Sequence, residues 1–439
     1  MGRLKDAASS MNDLSSEDET FRGVGLVSPA SEQASDCGNG GIVVEEQESV
    51  LAQVRRRALG IVVVVFIGLS TVILLAMSLD AASGQRMTVS PVHPDLKNGK
   101  AIWNGGCIAC HGADGKGAPE SSTVFKRPDT WPDFTRCDQT TPEPDSAYKA
   151  VILHGGRGLG FSQIMPAFGD LLSEQQVNDV IAYLRTFCKN DKHFPLGVLN
   201  LPRAIVTEKA FPEDELVIST AANVSGPGSW TTDVIHEQTF AGKNQLEVDV
   251  PINYARINGA WTSGTGDITV GMKREIFSNE RAGSVLSLQG GVLLPTGDSH
   301  RGFGAGTTQF EPFAAYDQLI TNRTFAQLQL GADLPVDSSI SPRSLFFRSA
   351  MGGSFAPDHG LGRLYTPMIE FVATRDYMPG ASTEWDIVPE MQVTVSKRQH
   401  IRAAAGYRKP FTDVSGRAPQ VEFYVLWDWA EGHFWDGWR

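Results

Sequence analysis

Hydrophobic and polar positions fall into three successive patterns along this chain of 439 residues. The first is an apolar run from Ala58 to Leu79 without a charged side chain. As a helix it would rise roughly 33 Å, enough to cross a bilayer. The second pattern has helical period. Ser173-Glu174-Gln175-Gln176 is a capping-box signature, and behind it Val177, Val180, Ile181, Leu184 and Phe187 form one apolar stripe. Asp95 to Ala109 predicts a further short helix carrying Leu96, Gly99, Ile102 and Trp103. From about residue 205 the period becomes two. Leu246-Glu247-Val248-Asp249-Val250-Pro251-Ile252 alternates apolar residues with acids, and the stretches Ala326 to Leu334 and Val421 to Trp429 do the same. Similar segments lie near 213–222, 266–277, 284–294, 308–320, 345–356, 364–375, 383–395 and 399–408, about eleven candidate strands in 235 residues. No helix-length pattern intervenes, so this half is expected to be all-β.

Composition changes the picture mainly at the N-terminal end. Within residues 1–50 ten acidic side chains stand against three basic ones. Such a stretch cannot bury enough apolar surface to offset chain entropy, so residues 1–55 are expected to be a disordered acidic leader. Arg55, Arg56 and Arg57 precede the apolar run and would put the N-terminus in the cytoplasm and everything after Asp80 outside it. Residues 56–82 then have two readings: a transmembrane helix, or a signal peptide cleaved at the small residues Ala81-Ala82-Ser83-Gly84. The net charge of −12 argues against a nucleic-acid partner, because neutralising phosphates needs a basic surface. The expected organisation is multidomain: leader (1–55), apolar segment (56–82), an all-α domain (88–195) and an all-β domain (205–439).

The chemistry lies in Cys107-Ile108-Ala109-Cys110-His111, the c-type haem attachment motif. Two thiols add to the porphyrin vinyl groups, and the adjacent histidine is thereby set against the iron as its proximal ligand. A redox dithiol would want a βαβ context, and a zinc site a second Cys/His pair at suitable spacing; neither is evident. After the motif, the domain has one methionine, Met165, and two further histidines, His154 and His193. Met165 stands in Gln163-Ile164-Met165-Pro166-Ala167-Phe168, just before the capped helix, and is expected to be the sixth iron ligand; His154 is the alternative. A thioether on the distal side favours reduced iron and raises the potential, which suits electron transfer.

These features make residues 95 to 188 resemble a monohaem class I cytochrome c. The matching residues are Gly99, Trp103, Cys107, Cys110 and His111, the glycine-rich Gly112 to Pro119, Met165-Pro166 and the closing Ile181-Ala182-Tyr183-Leu184-Arg185. The resemblance implies one covalent haem c, held by Cys107 and Cys110 and ligated by His111 and Met165. It also implies a first and last helix that cross at Gly99, with Trp103 against Tyr183 or Leu184, and a Pro119 carbonyl that orients His111. Cys137 and Cys188, outside the cytoplasm and flanking the distal loop and last helix, are expected to pair as a disulfide. Cys37 in the leader is a stray.

An outer-membrane barrel and a soluble sandwich both alternate. The barrel is favoured because the polar set includes Glu247, Asp249, Gln327, Asp333, Glu390, Glu422 and Asp428, as a wet lumen requires. The closing Trp427, Trp429, Phe434, Trp435 and Trp438 would suit a membrane-interface girdle. The expectation is an antiparallel barrel of about 10–12 strands. This half resembles a family of outer-membrane barrels associated with phenol-degradation (MetA-like) pathways, on Gln245 to Ile252, Gly266 to Lys273, Gly290 to Asp298 and Leu426 to Trp429. A linker of roughly ten residues spans only about 35 Å, so a barrel in the outer membrane favours cleavage of the apolar run. The expected function is a c-type cytochrome tethered to an outer-membrane barrel, exchanging electrons at the periplasmic face with redox partner proteins, other cytochromes foremost. The alternatives are an outer-membrane transporter of a small solute with the cytochrome as redox gate or plug, and an inner-membrane-anchored periplasmic cytochrome with a β-sandwich. Met ligation would leave no open iron site, and no nucleophile or paired-acid constellation is present, so no enzyme is expected.

Overall fold

The computed structural model describes residues 94–128, 130–355 and 364–429. The leader, the apolar run, Cys37, Phe434, Trp435 and Trp438 lie outside the described residues. Among the described residues no helix is long and apolar enough to cross a membrane.

The helical unit begins at α1 (Leu96–Ile102), whose N-cap Asp95 accepts from Lys97 N and Asn98 N. The helical path continues through a π-helical turn, Trp103–Cys107, into α2 (Ile108–His111), and Gly112 ends it. Two further helices follow, α3 (Cys137–Thr140) and α4 (Asp145–His154). The last, α5 (Glu174–Arg185), opens with the capping box that Ser173 and Gln176 predict. Its stripe of Val177, Val180, Ile181 and Leu184 is buried, and Val180 and Leu184 share a core with Trp103 and Phe134. Arg185 closes the bundle by donating to Asp145 Oδ1 and to the carbonyls of Thr140 and Glu143.

Among the described residues thirteen antiparallel strands follow. They are β1 (Glu215–Asn223), β2 (Ser229–Phe240), β3 (Asn244–Ile257), β4 (Ala260–Thr265), β5 (Ile268–Asn279), β6 (Ser284–Leu294) and β7 (Gln309–Leu319). The rest are β8 (Thr324–Pro335), β9 (Ser344–Gly353), β10 (Tyr365–Asp376), β11 (Glu384–Thr394), β12 (Ile401–Pro410) and β13 (Gln420–Asp428). β1 pairs with β13 and β2 with β3, so twelve strands form a closed ring and the short β4 extends β3 beyond it. One closed ring excludes the two-layer sandwich. The alternation misses two strands. β4 is too short to show a period, and the outward side chains of β2 include His236 and Gln238.

Orientation follows from burial. On β8, Gln327 and Gln329 are fully buried while Leu328 and Leu330 are 41% and 62% exposed. On β13, Glu422 is buried while Val421, Phe423 and Val425 are exposed. Polar inside and apolar outside is the reverse of a water-soluble core and the pattern of a membrane barrel. Trp427 and Trp429 depart from the girdle expectation: both are buried, and Trp429 stacks on His236.

The lumen is not a wet channel at this level, which corrects the expectation. Residues 199–213, between the helical unit and β1, run through it as a plug held by side chains of the wall. Ile205 N donates to Glu390 Oε2 at 3.1 Å, Val206 N to Glu370 Oε1 at 3.0 Å and Thr207 N to Glu370 Oε2 at 2.6 Å. Glu208 N, Ala210 N and Glu213 N donate to Gln329, Asp317 and Gln245. The plug's carbonyls are met in the same way: Pro202 by Gln327 Nε2, and Arg203 by Gln392 Nε2 and Tyr424 Oη. Arg203 Nη1 bridges Glu215 and Glu237 at 2.7 and 2.9 Å. Apolar plug residues fill the gaps between these bonds: Leu199 and Phe211 with Phe313 and Phe346, Leu201 with Phe325 and Met368, and Ile205 with Val217 and Leu426.

Glu370 serves two plug amides at once, so its loss leaves one buried and one part-buried N–H group unsatisfied, at a cost of about 1–3 kcal/mol each. Glu370→Leu is therefore expected to lower the unfolding free energy by about 3 kcal/mol. Glu370→Gln, which keeps an acceptor, is expected to lose less. Denaturant unfolding of both variants in detergent checks this; equal stability of the Leu variant and the parent would refute the plug bonding.

Candidate haem site

The π-helical turn and α2 carry the attachment motif. Cys107 ends the turn and Cys110 lies three residues on, so one helical face presents both thiols. Both cysteines are free and partly exposed. Burial, with Cys110 beside it, pushes the Cys107 thiol up to about 11. The His111 ring packs among Trp103, Trp131 and Phe134, with centroids 5.8, 5.8 and 5.3 Å away. Burial pushes this imidazole down to about 4, so it is neutral at physiological pH, the form that ligates metals. Its Nδ1 is buried with no hydrogen-bond partner. Pro119, which the resemblance assigns to orienting this ring, has its carbonyl turned instead to Ser122 N and Ser122 Oγ. The segment after the motif folds back on it, Gly117 N donating to His111 O and Ala118 N to Cys110 O.

The distal loop leaves α4 at Gly155 and returns to α5. Gly156 N donates to Met165 O at 3.0 Å, and Phe161 N donates to Gly156 O at 2.7 Å. Phe168 N and Gly169 N donate to Ile152 O and Leu153 O. A Cβ on Gly106 would lie 3.6 Å from Phe168 Cε1, so the loop end comes back beside the attachment turn. Met165 is half-buried on this loop, whereas His154 and His193 are exposed. Cys137 and Cys188 are joined as a disulfide with Cα atoms 5.2 Å apart, tying the start of α3 to the end of the last helix.

The residues present fit a covalently held haem. Two free thiols share a helical face, and beside them stands a neutral, packed imidazole with one buried nitrogen unmet. Among the described residues no three His, Cys, Asp or Glu side chains cluster as metal ligands.

The frame of the site is the crossing of α1 and α5. A Cβ on Gly99 would sit 2.1 Å from Asp179 O, so only glycine permits this approach. Trp103 lies 6.1 Å from the Tyr183 ring and 5.0 Å from Phe187, and its Nε1 donates to Gly112 O. The polar lock, unnoticed in the sequence, is Asp179. It is buried and accepts from Asp95 N, Asn98 Nδ2 and Gln175 Nε2. Burial pushes its carboxyl up, but these donors outweigh that and hold it below the usual range. A lowered native pKa adds stability above the unfolded value of about 3.9, and that stability is lost as pH falls through the native value. Asp179→Asn is expected to destabilise the helical unit at neutral pH and to flatten its acid-unfolding limb below about pH 4. A pH series of thermal unfolding, followed by the Trp signal, reads this. Gly99→Val is expected to disrupt the unit at every pH.

The family described as cytochrome c matches residues 96–187. Cytochrome c-555 of Prosthecochloris aestuarii is 34% identical over 94 residues, which are 20% of this chain and 85% of that protein. A subunit of nicotinate dehydrogenase from Pseudomonas putida is also 34% identical, over 108 residues that make up 23% of this chain but only 8% of that protein. In the β half, an outer membrane channel from Pseudomonas putida F1 is similar with a TM-score of 0.35 and 13% identity, covering 52% of this chain and 100% of that one. Through residues 96–187, which carry the free thiols and the neutral imidazole, the chain belongs to the cytochrome c family.

Proposed function

We propose that this protein is an electron-transfer cytochrome anchored by an outer-membrane barrel. One haem c would be bound covalently by Cys107 and Cys110, and His111 and Met165 would hold its iron. The observation that carries this reading is the pairing of two free thiols on one helical face with the packed, neutral His111. When bound, the haem supplies a one-electron carrier at its iron. The chain's residues do the rest: Trp103, Trp131 and Phe134 hold the imidazole ring, and the end of the Met165 loop comes back beside the attachment turn at Phe168. With His111 and Met165 both holding the iron, the group would keep no open site for a substrate, which suits a carrier better than an enzyme.

The anchoring reading rests on the outward apolar face and on loop length. Outer-membrane barrels have short periplasmic turns and longer extracellular loops. The helical unit meets the barrel at the end that carries the short turns 241–243, 280–283, 320–323 and 395–400 together with the longer connection 354–364, while the opposite end carries the loops 295–308, 336–343 and 411–419. The haem unit would therefore face the periplasm and exchange electrons there with a protein partner such as another cytochrome. One haem cannot carry electrons across an apolar band of about 25 Å, so onward transfer would need further haems. The plug in the lumen gives the solute-transport alternative less support, since the passage is filled by the chain itself.

Membrane fractionation is expected to recover the protein with the outer membrane, migrating faster on gels unboiled than boiled. Its ferric spectrum is expected to be that of a thioether-ligated low-spin haem. Met165→Ala should lose that signature while keeping covalent haem on a denaturing gel, and Cys107→Ala with Cys110→Ala should lose the covalent haem itself. An unchanged Met165→Ala spectrum would remove the ligand assignment.

A further inference from the structure

We propose that Arg398, on the β11–β12 turn of the barrel, is a positioning residue for the haem unit's distal loop, so that the barrel sets how firmly Met165 is held. This rests on the reading of Met165 as iron ligand.

The distal loop needs an external hold. Its first turn, Gly155-Gly156-Arg157-Gly158-Leu159-Gly160, holds four glycines in six residues, and such a backbone gives up much conformational freedom when ordered. The Met165 end is tied internally, by Gly156 N to Met165 O. At the outer end, Gly160 and Phe161 meet the barrel. Arg398 Nη2 donates to Gly160 O at 3.2 Å, and the guanidinium carbon lies 4.4 Å from the centre of the Phe161 ring. One planar cation thus takes a carbonyl and a ring face on adjacent residues, which a lysine ammonium cannot reproduce.

The turn that carries Arg398 is braced by its own bonds. Val395 N donates to Ile401 O at 2.7 Å, Ile401 N to Ser396 Oγ at 3.0 Å and Arg402 Nε to Gln399 O at 3.1 Å. Nearby, His400 Nδ1 lies 3.3 Å from Asp428 Oδ1 on β13. A second barrel turn also bears on the helical unit: Gly242 has φ +83°, and a Cβ there would come within 1.9 Å of His193 O. The helical unit is therefore seated on two turns, with the distal loop under Arg398. Releasing that contact restores freedom to the loop and weakens the thioether's hold. Since the thioether favours reduced iron, the midpoint potential falls.

The test uses the full haem-loaded chain in detergent, with Arg398→Ala, Arg398→Lys, Phe161→Leu and Met165→Ala measured side by side. Arg398→Ala is expected to lower the midpoint potential. Added imidazole should displace its sixth ligand at about a five-fold lower concentration, the scale of losing one cation–π contact with its hydrogen bond. Amide exchange in residues 156–165 should speed up. Arg398→Lys should fall between Arg398→Ala and the parent. Phe161→Leu, which leaves the barrel untouched, should move all three readouts in the same direction even if Arg398→Ala fails to assemble. Unchanged potential, imidazole competition and exchange in both Arg398→Ala and Phe161→Leu would overturn the proposal. If Met165→Ala keeps its thioether signature, the ligand reading fails instead, and the exchange rates alone then decide whether Arg398 clamps the loop.

Discussion

A closed antiparallel ring with an apolar outer face turns its polar side chains inward, and there they must find partners. In this protein many of those partners lie on residues 199–213, whose backbone amides and carbonyls and the Arg203 side chain all meet the wall. Residues 199–213 cross the lumen without joining a β-ladder, so their amides and carbonyls depend on wall side chains such as Glu370, Glu390, Gln329 and Tyr424. Buried polar groups left unpaired cost more than paired ones return, so wall and plug stabilise each other or neither is stable. The apolar residues between those bonds, Leu201, Ile205 and Phe211, add packing that a water-filled pore would lack.

This arrangement bears on the cytochrome unit because plug and unit are one continuous chain. The helical unit ends at the disulfide of Cys188 and passes through Gly197, whose missing side chain lets the chain lie against Pro142 O, before the plug enters the barrel. A flexible tether would let the helical unit sample many orientations. A tether bonded along its length, together with the contacts at Gly242 and Arg398, holds it against one rim of the barrel.

Much of the helical unit was legible because its signals are local. Ser173 and Gln176 satisfy helix-end amides within one turn, and the stripe from Val177 to Leu184 needs only the helical period. The thiols and the imidazole are fixed by adjacent positions. Asp179 was not legible. It reads as one more polar residue on a helix surface, and its role comes from Asp95 and Asn98, some eighty residues away. The Pro119 carbonyl failed for a similar reason, since its direction is decided by a turn it makes with Ser122. In the β half, eleven strands showed their period. The missed β2 places His236 and Gln238 on the outer face, and there a two-residue alternation of polarity no longer marks the strand.

By itself the sequence determined the spacing of the two thiols and the histidine, the capped last helix, the glycine at the helix crossing and the alternation that makes a barrel. Each depends on residues within a turn or a strand of one another. Tertiary structure alone decided that β2 and β3 pair to close the ring, that residues 199–213 fill the lumen, and that Arg398 meets Gly160. Carboxylates on a strand look the same whether they face water or a backbone amide. Only the folded chain, bringing Thr207 to Glu370 across 163 positions, distinguishes a solvated lumen from a plugged one.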